Sequence, residues 1–261
     1  MKKILLLLAV LAVAPVQAAD TADSVLACMR ANMPDALRLQ NLEFETKDKS
    51  GVVVSRIRGR LYAMRESSEG GEKLVRAMLR VDEPQGFAGA AYLVRQSDDY
   101  LRDGMYVYLP SVKRVRRVSG TFADGGLLGT SFTYSDFRHM QNSFGGANVT
   151  LDGAGELDKR AVHLLTFTPA AGEESSFGRV KVWVDQASCI ALKTEIYEGG
   201  AVRRRISVPA KAIQKTDAGW IMSMAEAEDL QAGTHSTMRV IKVSTGVDLP
   251  AGYFDPAAFY K

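Results

Sequence analysis

The run LRLQNLEFETKDKSGVVVSRIRGRLYAMRESSEGGEKLVRAMLRVD, residues 37–82, decides the fold. Leu42, Phe44 and Thr46 alternate with Glu43, Glu45 and Lys47, the period of two of a strand with one buried face. Asp48-Lys49-Ser50-Gly51 offers a hairpin turn. Beyond it Ile57, Leu61 and Ala63 oppose Arg56, Arg58, Arg60, Tyr62 and Met64. After a second turn at residues 67–71, Val75, Ala77, Leu79 and Val81 oppose Arg76, Arg80 and Asp82. Three such runs joined by short turns predict an antiparallel meander packed on one side.

The pattern continues outward. It resumes at residues 90–96, and after the turn dipeptide Asp103-Gly104 it places Tyr106 and Tyr108 on one side and Met105, Val107 and Leu109 on the other. Further strands are expected over 161–168, 179–185, 190–197, 201–208, 211–215, 219–228 and 234–244, with Gly199-Gly200 as a tight hairpin. Residues 139–157, rich in Gly, Asn and Ser, read as an irregular connection. Helix is expected around the middle of the chain and at its start, where Ala22, Leu26, Met29 and Met33 form one stripe between a cap at Asp20 or Thr21 and Pro34. Aromatics of the tail, Phe254 and Phe259, are expected to dock a final turn. The fold class is mainly β: about ten or eleven strands at hairpin spacing, curled into an unclosed antiparallel barrel with a helical and loop lid.

Residues 1–18 read as a cleavable export signal: a basic start (Lys2, Lys3), an apolar run from Ile4 to Val13 too short to span a bilayer, and small residues ending at Ala18. Residues 19–261 then form one domain, exported and not membrane-spanning. Cleavage removes two of the 33 basic side chains and leaves 30 acidic ones, so the mature chain is nearly neutral and nucleic acid is a poor partner. Cys28 and Cys189, in an oxidising compartment, are expected to be bonded rather than to persist as two free thiols. No metal-ligand spacing occurs among two distant cysteines and three scattered histidines, and no cofactor is implied.

No sequence pattern supports catalysis. There is no G-x-S-x-G elbow, no Walker loop follows Gly125-Gly126, and neither His139, His163 nor His235 has triad neighbours. The acidic pairs Asp98-Asp99 and Glu173-Glu174 sit in turns. What stands out is a cationic run, Lys113, Arg114, Arg116 and Arg117, followed by a Gly-rich apolar loop carrying Phe122, Leu127, Leu128 and Phe132, then Tyr134. The cations either protect a sheet edge or receive a head group or an acidic partner. The apolar residues either fold into the core or, with Tyr134 and the Tyr106/Tyr108 strand, bound an apolar pocket.

The segments DGMYVYLPSVKRVRRVSG (103–120) and LLGTSFTYSDF (127–137), with the leader, helix and meander, resemble the LolA-like outer-membrane lipoprotein-sorting proteins, nearest the periplasmic branch often found with RND-type (MMPL) exporters. The resemblance implies a strongly bent barrel with a hydrophobic cavity under a lid. It also implies a periplasmic carrier or chaperone holding lipid or lipoprotein acyl chains for transport towards the outer membrane, or else an RseB-like sensor or an accessory protein of an RND/MMPL inner-membrane transporter. The barrel arginine that holds the lid shut in LolA corresponds most nearly to Arg65.

Overall fold

The computed structural model describes residues 20–68, 70–97, 104–143, 147–172, 174–217, 219–249 and 252–261. The leader, Asp103, the pair Asp98-Asp99 and Glu173 lie outside the described residues.

Helix α1 (Ala22–Ala31) begins as its composition dictates. Thr21 caps it, accepting from the Ser24 backbone N–H while the Ser24 hydroxyl accepts from Thr21 N–H, and Asn32 closes it two residues before Pro34. From there the chain is almost entirely strand: β1 (Arg38–Lys47), β2 (Val53–Ser67), β3 (Lys73–Glu83), β4 (Ala91–Arg95), β5 (Gly104–Leu109) and β6 (Arg114–Arg117). Two 3-10 turns (Gly120–Asp124, Leu127–Gly129) and helix α2 (Tyr134–Met140) interrupt the series. Then follow β7 (Ala147–Leu157), β8 (Arg160–Pro169), β9 (Arg179–Asp185), β10 (Ala191–Glu198), β11 (Ala201–Ser207), β12 (Ile213–Thr216), β13 (Gly219–Met222), β14 (Met224–Asp229) and β15 (Thr234–Thr245).

Thirteen strands form one antiparallel sheet in the order β6-β5-β4-β3-β2-β1-β15-β14-β11-β10-β9-β8-β7; β12 and β13 pair with each other as a separate hairpin. The sheet is not closed, with β6 and β7 at its edges. It curls so that the inner faces of both halves share one core, in which Leu61, Val75 and Leu79 of β2 and β3 join Ile196, Ile206 and Ala225 of β10, β11 and β14. At Gly59, a bulge in the β2–β3 pairing, an added Cβ would sit 2.4 Å from the Arg80 carbonyl oxygen, so the bend there admits only glycine.

The strand count exceeds the ten or eleven expected, and one omission is specific. The stretch read as irregular contains β7, paired along its length with β8. As an edge strand with no fully buried side chain it alternates only from Ala147 to Asp152, and beyond the register shift Gly153 and Gly155 break the period. The outer face also departs from a simple half-buried meander. β3 is buried on both faces for most of its length, because Phe259 and the tail residues Tyr253, Phe254 and Tyr260 pack on the convex side against Tyr62, Met78, Ala91 and Leu93. The docked tail was legible in its aromatics; the area it covers was not.

Cys28 and Cys189 are bonded, tying α1 to the turn between β9 and β10. The buried face of α1 (Val25, Leu26, Met29) packs on Leu165, Phe167 and Val182 of the second half of the sheet. No helix among the described residues is long and apolar enough to cross a membrane.

Candidate functional site

Between the concave face of the sheet, α1, residues 117–142 and the β12–β13 hairpin lies a cavity of about 530 Å³. A curled sheet must cover its inner face, and here the cover does not fill it. One wall is Leu42, Leu61 and Met105; the other is Phe167, Val182, Ile196 and Ile206. Met238 and Val240 of the central strand β15 form part of the lining, and Met29, Phe122, Met140 and Trp220 complete the cover. Polar groups also reach it, among them Arg38, Gln40, Asp124 and His139. An apolar enclosure with a few placed polar groups is the form of a small-molecule site.

The cover is firmly anchored rather than loose. Tyr92 of β4 donates from its hydroxyl to the Tyr134 carbonyl (3.0 Å), and its ring meets Tyr134 and Phe137 edge-on. Burial pushes the Tyr92 phenol well up, so it stays a donor. Ser236 Oγ of β15 accepts from Ser131 N–H (2.8 Å) and shares a bond with Thr46 Oγ1 (2.8 Å). From β11 the buried Arg204 donates to the Ser131 carbonyl (2.6 Å), to Thr133 Oγ1 (3.3 Å) and to the Asp136 carboxylate. Asp136 in turn accepts from Thr133 N–H (2.7 Å) as the third residue of α2.

These facts place each expected site residue. Phe122 lines the cavity, stacked on Tyr134. Leu127, Leu128, Phe132 and Tyr134 are cover residues that pack into the core and do not line the cavity; Phe132 meets Phe44 edge-on. Tyr106 and Tyr108 require correction: β5 lends Met105 to the cavity, while the two tyrosines face the convex side, where Tyr108 stacks on Tyr260 of the tail. The alternation was right, but both faces of β5 are covered, so apolar character alone could not say which is inner.

The cations divide in the same way. Lys113 lies in the turn before β6 at positive φ, and Arg114, Arg116 and Arg117 lie on the edge strand itself, all four exposed. Arg116, opposite Val107, stacks over the Phe122 ring at 4.0 Å, and Arg117 reaches the cavity rim. Arg65 ion-pairs with Asp35 (2.9 Å) just beyond α1, and its N–H donates to the Pro34 carbonyl. It therefore steadies the link from α1 to β1, whereas Arg204, which was not singled out in the sequence, holds the α2 segment.

His139 sits at the cavity with Nε2 3.0 Å from Arg138 Nη2, as acceptor. Desolvation, reinforced by the Arg138 charge, pushes its pKa down to about 3. The unfolded chain therefore takes up a proton near pH 6.5 that the folded one refuses, so stability should fall as pH drops below 6.5. The contribution amounts to at most about 1.4 kcal/mol per pH unit. In thermal melts from pH 7 to pH 5, His139→Gln should show a shallower loss of Tm than the parent; parallel curves would refute this.

A DUF1329 family protein from Desulfovibrio piger superposes with a TM-score of 0.77 at 19% identity, covering 92% of this chain and 99% of that one. A Vibrio parahaemolyticus domain named for outer membrane lipoprotein sorting gives 0.76 at 19%, covering 92% and 100%. The LolA superfamily protein NE2245 from Nitrosomonas europaea gives 0.67 at 18%, covering 90% and 98%. No curated protein matches the sequence. A family model described as an uncharacterized protein matches residues 73–261, well over half of the chain. The chain belongs to that family, and its fold is that of the LolA-like outer-membrane lipoprotein-sorting proteins.

Proposed function

We infer that the protein is a periplasmic carrier that holds the acyl chains of a lipid or lipoprotein in its cavity during transport towards the outer membrane. The observation that carries this reading is the apolar cavity of about 530 Å³ between the unclosed sheet and its cover. Each methylene buried there stabilises the complex by about 0.8 kcal/mol, so one long chain suffices for useful affinity. Such binding requires no bond to be made or broken, and the reading assigns no catalytic residue. The fold and the leader-like residues 1–18 support the compartment.

Native mass spectrometry of protein purified from the periplasm should show bound lipid, and a fluorescent fatty acid should bind the delipidated protein. Empty protein together with no fatty-acid binding would sink the reading. A second reading, docking to a protein such as an RND/MMPL-family transporter, draws on the exposed edge strand. Lys113, Arg114 and Arg117 make no ion pair among the described residues.

A further inference from the structure

The inward side of β1 reads Arg38, Gln40, Leu42, Phe44, Thr46, all buried, and its first three residues line the cavity. Arg38 is 6% exposed. Its Nη1 donates to the carbonyl of Asn32, the C-cap of α1, at 3.2 Å, while its Nε is buried without a partner. No carboxylate among the described residues lies within ion-pairing distance of it. The buried Arg204 and Arg76 differ: the first is paired with Asp136 and the second with Glu66 at 2.9 Å. Gln40 is 5% exposed, and its amide makes no hydrogen bond among the described residues. Neighbouring Asn32 is already committed, donating from Nδ2 to the Ser188 carbonyl (2.7 Å) and accepting at Oδ1 from Trp220 N–H (3.2 Å).

A buried guanidinium without a counter-charge costs the empty protein stability, and desolvation alone lowers the Arg38 pKa to about 10. It is still charged at neutral pH. The local fold does not supply the anion, but an amphiphile entering the cavity would bring one. We propose that Arg38, with Gln40 beside it, receives the anionic head, carboxylate or phosphate, of an amphiphile whose chain occupies the apolar part of the cavity. This rests on the carrier reading and adds to it a ligand class and an orientation. The head sits at the Arg38 end of β1, by the C-terminus of α1, and the chain runs along the walls built from Leu42, Ile196 and Ile206. A charge-assisted contact made out of water discriminates against a neutral head of equal chain length.

The test is displacement of a neutral fluorescent probe from the delipidated protein, at neutral pH, by hexadecanoate, hexadecyl phosphate and hexadecan-1-ol. At least one anion should displace the probe at about tenfold or lower concentration than the alcohol. Which anion holds the advantage separates a fatty-acid carboxylate from a phosphate head group. Arg38→Met should erase the advantage while keeping affinity for the alcohol, and should raise the Tm of the empty protein by removing an uncompensated charge. Equal binding of all three by the parent, or an advantage that survives Arg38→Met, overturns the head-group assignment and leaves the carrier reading standing. Displacement by none of them overturns both. A lowered Tm in Arg38→Met counts against the proposal, since it marks Arg38 as a residue of the fold. The parent comparison decides even where that variant does not fold.

Discussion

Arg204→Met should destabilise the protein by about 3–5 kcal/mol, the usual cost of removing one member of a buried ion pair. Arg204 and Asp136 are 3% and 5% exposed, so the pair is held almost entirely out of water. The variant leaves the Asp136 carboxylate, the Ser131 carbonyl and Thr133 Oγ1 short of a donor in one place. Because those acceptors belong to the segment leading into α2, the loss should concentrate in the cover. Hydrogen exchange over residues 120–143 should accelerate before the sheet loses protection. The companion double variant Arg204→Met with Asp136→Leu should recover a large part of the loss, since no charge is then stranded. A single variant within about 1 kcal/mol of the parent would show that the pair adds nothing, the level typical of an exposed ion pair.

The second large effect belongs to the Cys28–Cys189 bond. It closes a loop with a sequence separation of 161, and in the chain-entropy account such a link stabilises by about 5 kcal/mol. Cys28→Ser with Cys189→Ser should lower the denaturant midpoint accordingly. It should also free α1, which otherwise rests on a patch of three buried side chains, Val25, Leu26 and Met29. The expected signature is loss of protection in residues 22–31 and weaker retention of any cavity ligand. Wild-type stability in the double variant, or two alkylatable thiols in non-reduced denatured protein, would refute it.

Much of this architecture was legible because each side of a strand reports its own surroundings. Leu42, Phe44 and Thr46 do point inward, Thr21 does cap α1, and the tail aromatics do dock. What escaped had two causes. β7 shows the strand period only over its first six residues and then faces solvent through Gly153 and Gly155, so its hydrophobic signal is short. Around the cavity the ordinary reading inverts. Leu37 and Leu39 pack outward beneath the tail, while Arg38 and Gln40 point inward. By polarity alone those four residues belong the other way round. Yet the alternation runs unbroken from Arg38 to Lys47, and carrying the parity of Leu42 and Phe44 back two steps would have placed Arg38 and Gln40 inside. A strand whose phase contradicts its polarity was the available signal. Arg204 gave none, because its partner Asp136 lies 68 positions away and only the curl of the sheet brings them together.

The strand order has a consequence for assembly. The middle of the sheet is the β1–β15 pair, residues 38–47 against 234–245, so its two halves join along a seam between strands far apart in sequence. Each half is a run of near-neighbour hairpins that local contacts can start. The seam pairs strands far apart in sequence, and pairing of such high sequence separation is slow. Until then neither half has the other's inner face to pack against, and the shared core cannot form. A chain wired this way completes its core in one late step, when that distant pairing forms.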